Sequence, residues 1–237
     1  MRFISKNAYI CSVKYKAVIS GDIIAYTSLE DTSKAILENG LKDVFDELEG
    51  QFNTYSRLVK GDYLECVAPV SSNSLRVALI IKTFIKSLQL TAQNKRHRYF
   101  EEHGLRMAIG FEELSRYDPE AGIIDGEAIY LSGRLVSEAS THYKKRVIIK
   151  GTLMFISNDK SLDDNINTIF SLLDHLFSKT TKKQSEVIYH KLWGLSEDEI
   201  ARKLGTSQSS VNQHSTAAGW NAIEKAILYY ETLLSNY

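Results

Sequence analysis

The sequence predicts an α+β fold followed by an all-α region. Three observations carry that expectation. Up to about residue 157, β-prone and helix-periodic segments alternate in the order β-α-β-β-α-β. From about residue 158 every periodic segment is helical. Hydrophobic residues make up 43% of the 237, against 24% charged, enough for a packed core. The expected organisation is an α+β domain over 1–157, a connecting helix over 158–178, and a second domain over 179–237 ending in a long helix.

The elements follow in order. Tyr9 to Ser20 is β-prone, with Tyr9, Ile10, Val13, Tyr15, Val18 and Ile19. Gly21-Asp22 follows it. From Ser33 to Phe52, Leu41, Val44, Phe45, Leu48 and Phe52 recur at spacings of three and four, which lines one helix face. Thr54 to Val59 and Tyr63 to Ala68 read as strands around a Lys60-Gly61-Asp62 turn. Leu75 to Leu90 is helix-periodic, with candidate caps in Ser71 to Ser74. Thr91 to His103 is polar; its Lys95-Arg96-His97-Arg98 run reads as a solvated loop. Leu105 to Phe111 is a strand candidate, Glu112 to Asp125 a loop or hairpin, Gly126 to Ala139 a helix, and Arg146 to Lys150 a last short strand. The first six elements run in ferredoxin-like order, an antiparallel sheet with helices on one face. An apolar stripe from Leu162 to Phe177, with Asp163 and Asp164 in the first turn, predicts the connecting helix.

Composition excludes several classes. No apolar run approaches the roughly 18 residues of a membrane-spanning helix, and Met1 to Ile10 lacks a signal-peptide pattern. Cys11 and Cys66 sit in apolar runs and read as reduced core residues. The expectation is a cytoplasmic protein. None of the six histidines shows metal-ligand spacing. The 29 basic and 29 acidic residues cancel, which argues against a strongly basic nucleic-acid surface.

In a β-α-β-β-α-β fold the end of strand 1 lies beside the start of strand 3. Asp22 and Asp62 therefore share one sheet edge. Two carboxylates held together repel unless a cation separates them or one is protonated. Hard oxygen ligands suit Mg²⁺ or Mn²⁺ bridging to a phosphate. The competing reading is that Asp22 caps a helix and Asp62 fills a turn.

Gly21-Asp22-Ile23-Ile24-Ala25-Tyr26-Thr27-Ser28-Leu29 resembles the first metal motif of the class III nucleotide-cyclase homology domain. Lys60-Gly61-Asp62 resembles that family's Gly-Asp hairpin, and Leu105 to Gly110 its Leu-Arg-x-Gly-Ile strand. Gly126 to Leu135 resembles its late helix. The matches fall in the family's order over about residues 15 to 150. The resemblance implies a cyclase-type domain with Asp22 and Asp62 as metal ligands. It also implies a nucleotide or phosphate site drawing on Ile23, Tyr26, Thr27, Arg57, Lys60 and Arg134, with Arg134 supplied by a partner subunit as the catalytic arginine of an active enzyme. The departures are specific. Tyr130 stands where the family has Asn, Ile123 and Leu58 replace its base-selecting residues, and Arg57 lies one position from the lysine it would replace. Losing one transition-state donor costs a factor of roughly 10² to 10³. The expectation is metal–nucleotide binding without efficient cyclisation. An active form would be a two-metal nucleotidyl cyclase.

Gln184 to Trp193 is a short amphipathic run, and a helix-turn-helix pattern follows. Ser196 caps a helix and Glu199 completes a capping box. Ile200, Ala201 and Leu204 pack inward, and Gly205 ends the helix in the left-handed region. Ser207 caps the next helix and Val211 anchors it. Gln208, Ser209, Ser210, Asn212 and Gln213 then lie near the N-terminus of a recognition helix, with Lys182 and Lys183 as phosphate contacts. Asn and Gln can pair bidentately with adenine. The pattern resembles sigma-factor region 4 and related response-regulator modules. From Lys179 onward there are seven basic and six acidic residues, so DNA binding by one copy is expected to be weak. A homodimer or a partner would supply avidity. Trp220, Ile223, Ile227, Tyr230 and Leu234 form a stripe that either packs on the first domain or pairs with a second chain.

The whole arrangement resembles the bacterial SatD-like family, a cyclase-like domain joined to this type of helix-turn-helix. The first reading is a DNA-binding transcriptional regulator with a cyclase-like domain that senses a metal-bound nucleotide or phosphate ligand. The alternatives are an active cyclase or phosphoryl-transfer enzyme with a DNA-binding appendage, and a protein-interaction adaptor.

Overall fold

The computed structural model describes residues 15–91, 97–139 and 151–237. Strand β1 (Tyr15–Ile23) passes through a 3₁₀ turn (Tyr26–Ser28) into α1 (Asp31–Phe52). The hairpin β2 (Tyr55–Val59) and β3 (Tyr63–Ala68) leads through a second 3₁₀ turn (Ser71–Asn73) to α2 (Ser74–Ser87). Then come α3 (His97–His103), β4 (Leu105–Asp118), β5 (Ile123–Gly126), α4 (Glu127–Ala139) and β6 (Leu153–Ile156). The remainder is helical: α5 (Lys160–Lys179), α6 (Lys182–Leu192), α7 (Glu197–Leu204), α8 (Gln208–Ala217) and α9 (Trp220–Leu234). An α+β region is thus followed by a helical one.

The sheet order is β2-β3-β1-β4-β5, with β6 added parallel to β4. The first four of these strands pair antiparallel, as the β-α-β-β-α-β order requires. Side chains alternate between faces along a strand. Ala17, Ile19 and Ile23 of β1 therefore join the main core beneath α1 and α2. Val18, Ser20 and Asp22 face the other way. There α4 packs on β1 and β4, with Val18, Val67 and Ala128 in a second small cluster. Gly110 allows the approach: a Cβ at that position would lie 2.1 Å from the Ala128 carbonyl oxygen.

Several expected elements differ in extent. β1 runs through Gly21-Asp22 to Ile23, so Asp22 lies inside the strand rather than after it. β4 continues to Asp118 and forms a hairpin with β5, resolving the loop-or-hairpin alternative. The polar segment before it holds the short helix α3. The candidate strand at 146–150, Lys95, Arg96, Cys11 and the first six residues of the expected opening strand lie outside the described residues. The parallel strand β6 has only four residues, too few to show a period.

The helical region shares the main core. α6 packs along α2, with Ile188 and Leu192 in the same cluster as Leu79 and Ile80. α5 covers the outer edge of β6: the Asn167 carboxamide accepts from the Phe155 N–H at 2.9 Å and donates to the Phe155 carbonyl at 2.8 Å. This satisfies an edge that would otherwise be open. The apolar stripe of α9 packs on the α+β region. Tyr230 meets Phe155 and Phe170 at centroid distances of 6.2 and 5.8 Å, and Arg76 pairs with Glu231 at 2.8 Å. α7 and α8 have a small core of their own, Ile200, Ala201 and Val211 closing on Val187 of α6. Among the described residues no helix is long and apolar enough to cross a membrane.

Candidate functional site

The first candidate site is the end of the sheet where β1 meets β3. Cα register pairs Asp22 with Tyr63, and the Ile23 N–H donates to the Asp62 carbonyl at 2.7 Å. Asp22 and Asp62 are therefore neighbours at one edge. Lys60 and Gly61 build the turn that places Asp62, both at positive φ (60° and 77°). A side chain at Gly61 would press on the Tyr26 hydroxyl, 3.2 Å away.

Sequence reasoning missed the nearest cation. Arg106 lies opposite Asp22 on β4, is 5% exposed, and its Nη1 donates to Asp22 Oδ2 at 3.0 Å. Burial lowers the Arg106 pKa and the Asp22 carboxylate opposes that shift. The signal was available: antiparallel register puts the start of β4 opposite the end of β1.

The other predicted residues are distributed around this edge. Ile23 is 2% exposed and belongs to the core. The Tyr26 hydroxyl donates to Glu38, and its pKa is pushed up to about 12, by burial first and then by that bond. Thr27 and Lys60 are exposed. Leu58 packs against the main core, whereas Arg57 points to the opposite face. There Arg57 pairs with Glu65 at 2.6 Å and donates to the Gly122 carbonyl. The hairpin thus places Arg57 in an ion pair rather than in the position of Leu58. Arg134 is exposed on α4. One turn earlier Tyr130, 61% exposed, donates to Asp125. α4 borders the Asp22 face: Ser132 Oγ is 2.8 Å from Ser20 Oγ, and Gly133 faces the Tyr63 hydroxyl.

As a cation site, the edge offers hard oxygen donors from Asp22 and Asp62. Among the described residues no group of three or more His, Cys, Asp or Glu converges. Two carboxylates of this kind would suit a hard divalent cation such as Mg²⁺ or Mn²⁺. Arg106 would share Asp22 with it.

Beneath this edge lies a polar cluster that periodicity hid within the apolar stripe of α2. Lys82, 1% exposed, donates to the carbonyls of His103 and Leu105 and to Thr152 Oγ1 at 3.1, 2.7 and 2.8 Å. Lys86 donates to the carbonyls of Glu102 and Phe177, both at 2.6 Å. Burial pushes their pKa values down to about 8 and about 7. These two amines cap the C-terminal ends of α3 and α5.

The second candidate site is the surface of α7 and α8. Ser196 accepts from the Glu199 N–H, and the Glu199 carboxylate accepts from the Ser196 N–H at 2.8 Å, a complete capping box. Gly205 has φ 62° and ends α7. Ser207 accepts from the Ser210 N–H at 3.2 Å and begins α8. Val211 is fully buried, while Ser207, Gln208, Ser209, Asn212 and Gln213 are exposed and Ser210 is half-buried. Both lysines assigned to this surface have acidic partners: Lys182 pairs with Glu101 of α3 at 3.1 Å and Lys183 with Glu186 at 2.9 Å. Glu197, unassigned from the sequence, accepts from Gln208 Nε2 at 2.5 Å and pairs with Lys191 at 3.1 Å.

No family model and no curated protein matches the sequence. Solved structures show a distant likeness to adenylyl and guanylyl cyclase domains. A bacterial light-regulated adenylyl cyclase is 16% identical with a TM-score of 0.41, over 60% of this chain and 42% of that one. The catalytic core of a rhodopsin–guanylyl cyclase is 17% identical with a TM-score of 0.40, over 52% and 72%. The monomeric guanylyl cyclase domain of a rhodopsin fusion from the aquatic fungus Blastocladiella emersonii is 17% identical with a TM-score of 0.39, over 52% and 75%. The chain thus spans less than half of the light-regulated enzyme. The likeness is one of fold outline in the α+β region.

Proposed function

We propose that this protein is a DNA-binding transcriptional regulator whose α+β domain binds a metal-bound nucleotide or related phosphate ligand without turning it over efficiently. The observation that carries the reading is the α7–α8 pair. Two capped helices, a left-handed glycine between them and a dedicated apolar anchor leave a row of amide and hydroxyl side chains exposed at the start of α8. That is the arrangement a helix-turn-helix needs to enter a major groove.

The ligand side of the proposal rests on Asp22 and Asp62, which would hold Mg²⁺ or Mn²⁺. The ion, when bound, would neutralise phosphate charge. Lys60 and Thr27, exposed beside this edge, would meet phosphate oxygens, and Arg134 of a second copy would face it in a homodimer. Tyr130 and Leu58 stand where donors to ribose and base would be needed, which favours binding over cyclisation. α9 and α6 give the two regions a shared core through which occupancy could bias the DNA-facing helices.

Mobility shift of genomic fragments by the full-length protein, with and without Mg²⁺ and nucleotide, tests the proposal. Binding that changes with nucleotide supports it. Absence of binding to every fragment overturns the regulator reading. Rapid formation of a cyclic nucleotide would move the chain to the second reading, an active cyclase.

A further inference from the structure

A cleft of about 390 Å³ lies where α1 of the α+β region meets α6 and α7. That volume is within the range of small-molecule sites. None of these helices carries Asp22 or Asp62, so the cleft is separate from the sheet edge described above. Its apolar wall is Tyr189 and Trp193, one turn apart at the end of α6, with Leu195 beyond them. Trp193 packs on Phe52 of α1 and on Tyr189 at centroid distances of 5.9 and 6.2 Å, and Tyr189 packs on Phe84 of α2 at 5.7 Å. α1 and α2 thus hold both rings in place, and a ligand meets a preformed surface.

The polar groups of the cleft are unsatisfied. Glu47 of α1 and Lys203 of α7 are exposed there with opposite charges, and among the described residues neither has an ion-pair partner. They act on adjacent residues. Burial pushes the Tyr189 pKa up to about 12; the nearby Trp193 indole opposes that shift, and the Glu47 and Asp43 carboxylates add to it. Burial lowers the His190 pKa and Lys203 adds to that, against Glu186. The negative charge therefore acts on the Tyr189 side and the positive charge on the His190 side. His190 lines the cleft although only 7% exposed, and its neutral ring offers one donor and one acceptor. The Trp193 N–H comes near the Tyr189 hydroxyl without reaching hydrogen-bond geometry, so Nε1 is a buried donor with no acceptor among the described residues. A donor of that kind calls for an acceptor from outside the chain.

We infer that this cleft binds a zwitterionic α-amino acid with an aromatic side chain: Glu47 takes the ammonium group, Lys203 and the Trp193 N–H take the carboxylate, and the ring lies against Tyr189, Trp193 and Leu195. A ligand of one charge sign would be repelled by either Glu47 or Lys203. The site is independent of the DNA-binding reading. Its ligand would tie α1 to the first helix of the α7–α8 pair.

Calorimetric titration of the full-length protein with L-phenylalanine, glycine, phenethylamine and phenylpropionate tests this. L-Phenylalanine should bind and raise Tm. Glycine keeps both charges without the ring and should bind roughly tenfold more weakly or worse. The amine and the acid each lack one charge and should bind about fivefold more weakly. Glu47→Gln should weaken L-phenylalanine about fivefold without weakening phenylpropionate, and Lys203→Met should do so without weakening phenethylamine. Both side chains are exposed, so both variants should melt as wild type does. No heat and no rise in Tm with millimolar L-phenylalanine overturns the site. L-Phenylalanine binding that neither variant weakens, or glycine binding equally tightly, overturns the ligand class.

Discussion

The hydroxyls of Tyr230 and Ser74 lie 2.7 Å apart in the core and join the last helix to the first turn of α2. Ser74 Oγ donates to the Ser71 carbonyl at 2.6 Å, so Tyr230 is the donor of the pair. This buried bond, with the Arg76–Glu231 ion pair beside it, ties the helical region to the α+β region. Tyr230→Phe should cost about 1 kcal/mol, the usual net worth of one hydrogen bond. Tyr230→Ala should cost about 3–5 kcal/mol because the cavity adjoins Phe155 and Phe170. Urea unfolding followed by tryptophan fluorescence and by circular dichroism measures both. Coincident transitions are expected, since one core spans both regions.

The Asp22–Arg106 pair makes a prediction about cations. Arg106→Met removes the guanidinium that shares Asp22. Divalent binding at the Asp22–Asp62 edge should strengthen about tenfold, because one competing positive charge is gone. The same change should destabilise the protein by about 2–4 kcal/mol, since the buried ion pair between Asp22 and Arg106 is lost. Titration with Mn²⁺ followed by calorimetry reads the first effect, and thermal melts read the second. Unchanged Mn²⁺ affinity would remove the metal assignment.

The buried lysines predict a pH dependence of stability. Lys82 and Lys86 titrate at about 8 and about 7 in the folded chain, against 10.5 when unfolded. Between those limits the unfolded chain binds more protons, so stability rises with pH and falls as pH drops toward 7. Each lysine contributes a slope of at most about 1.4 kcal/mol per pH unit. Asp174, Glu102, His103 and Arg106 are the charged or titratable groups that act on the pair. Lys86→Met should flatten the profile of Tm against pH between about 7 and 10. A profile as steep as wild type would contradict the account.

Two glycines separate steric from conformational cost. Gly110→Ala drives a Cβ into the Ala128 carbonyl and must displace α4, costing about 3 kcal/mol. Gly205→Ala meets nothing within 4 Å and should cost only the left-handed conformation, about 1 kcal/mol. Thermal melts of the two variants test the contrast.

How far these features were legible in the sequence depends on the range of the interaction. Local signals carried well: the Ser196–Glu199 capping box and the αL residue at Gly205 are written within a few residues of each other. The meeting of Asp22 and Asp62 followed from element order alone. Arg106 needed strand register as well, and nothing local marked Glu197, whose partners lie up to 18 residues away. Lys82 and Lys86 were hidden because a buried amine at helical spacing looks like a solvated one until the elements around it are known. The parallel strand β6 was too short to carry a period.

The most direct test of the regulator reading is fluorescence anisotropy of the full-length protein against a pool of genomic duplexes at low salt, with Asn212→Ala/Gln213→Ala as the comparison. Wild type should bind with a shallow salt dependence, reflecting the near-neutral helical region, and the double variant should bind at least tenfold more weakly while melting as wild type does. Equal binding by the two proteins, or no binding by wild type, would contradict it.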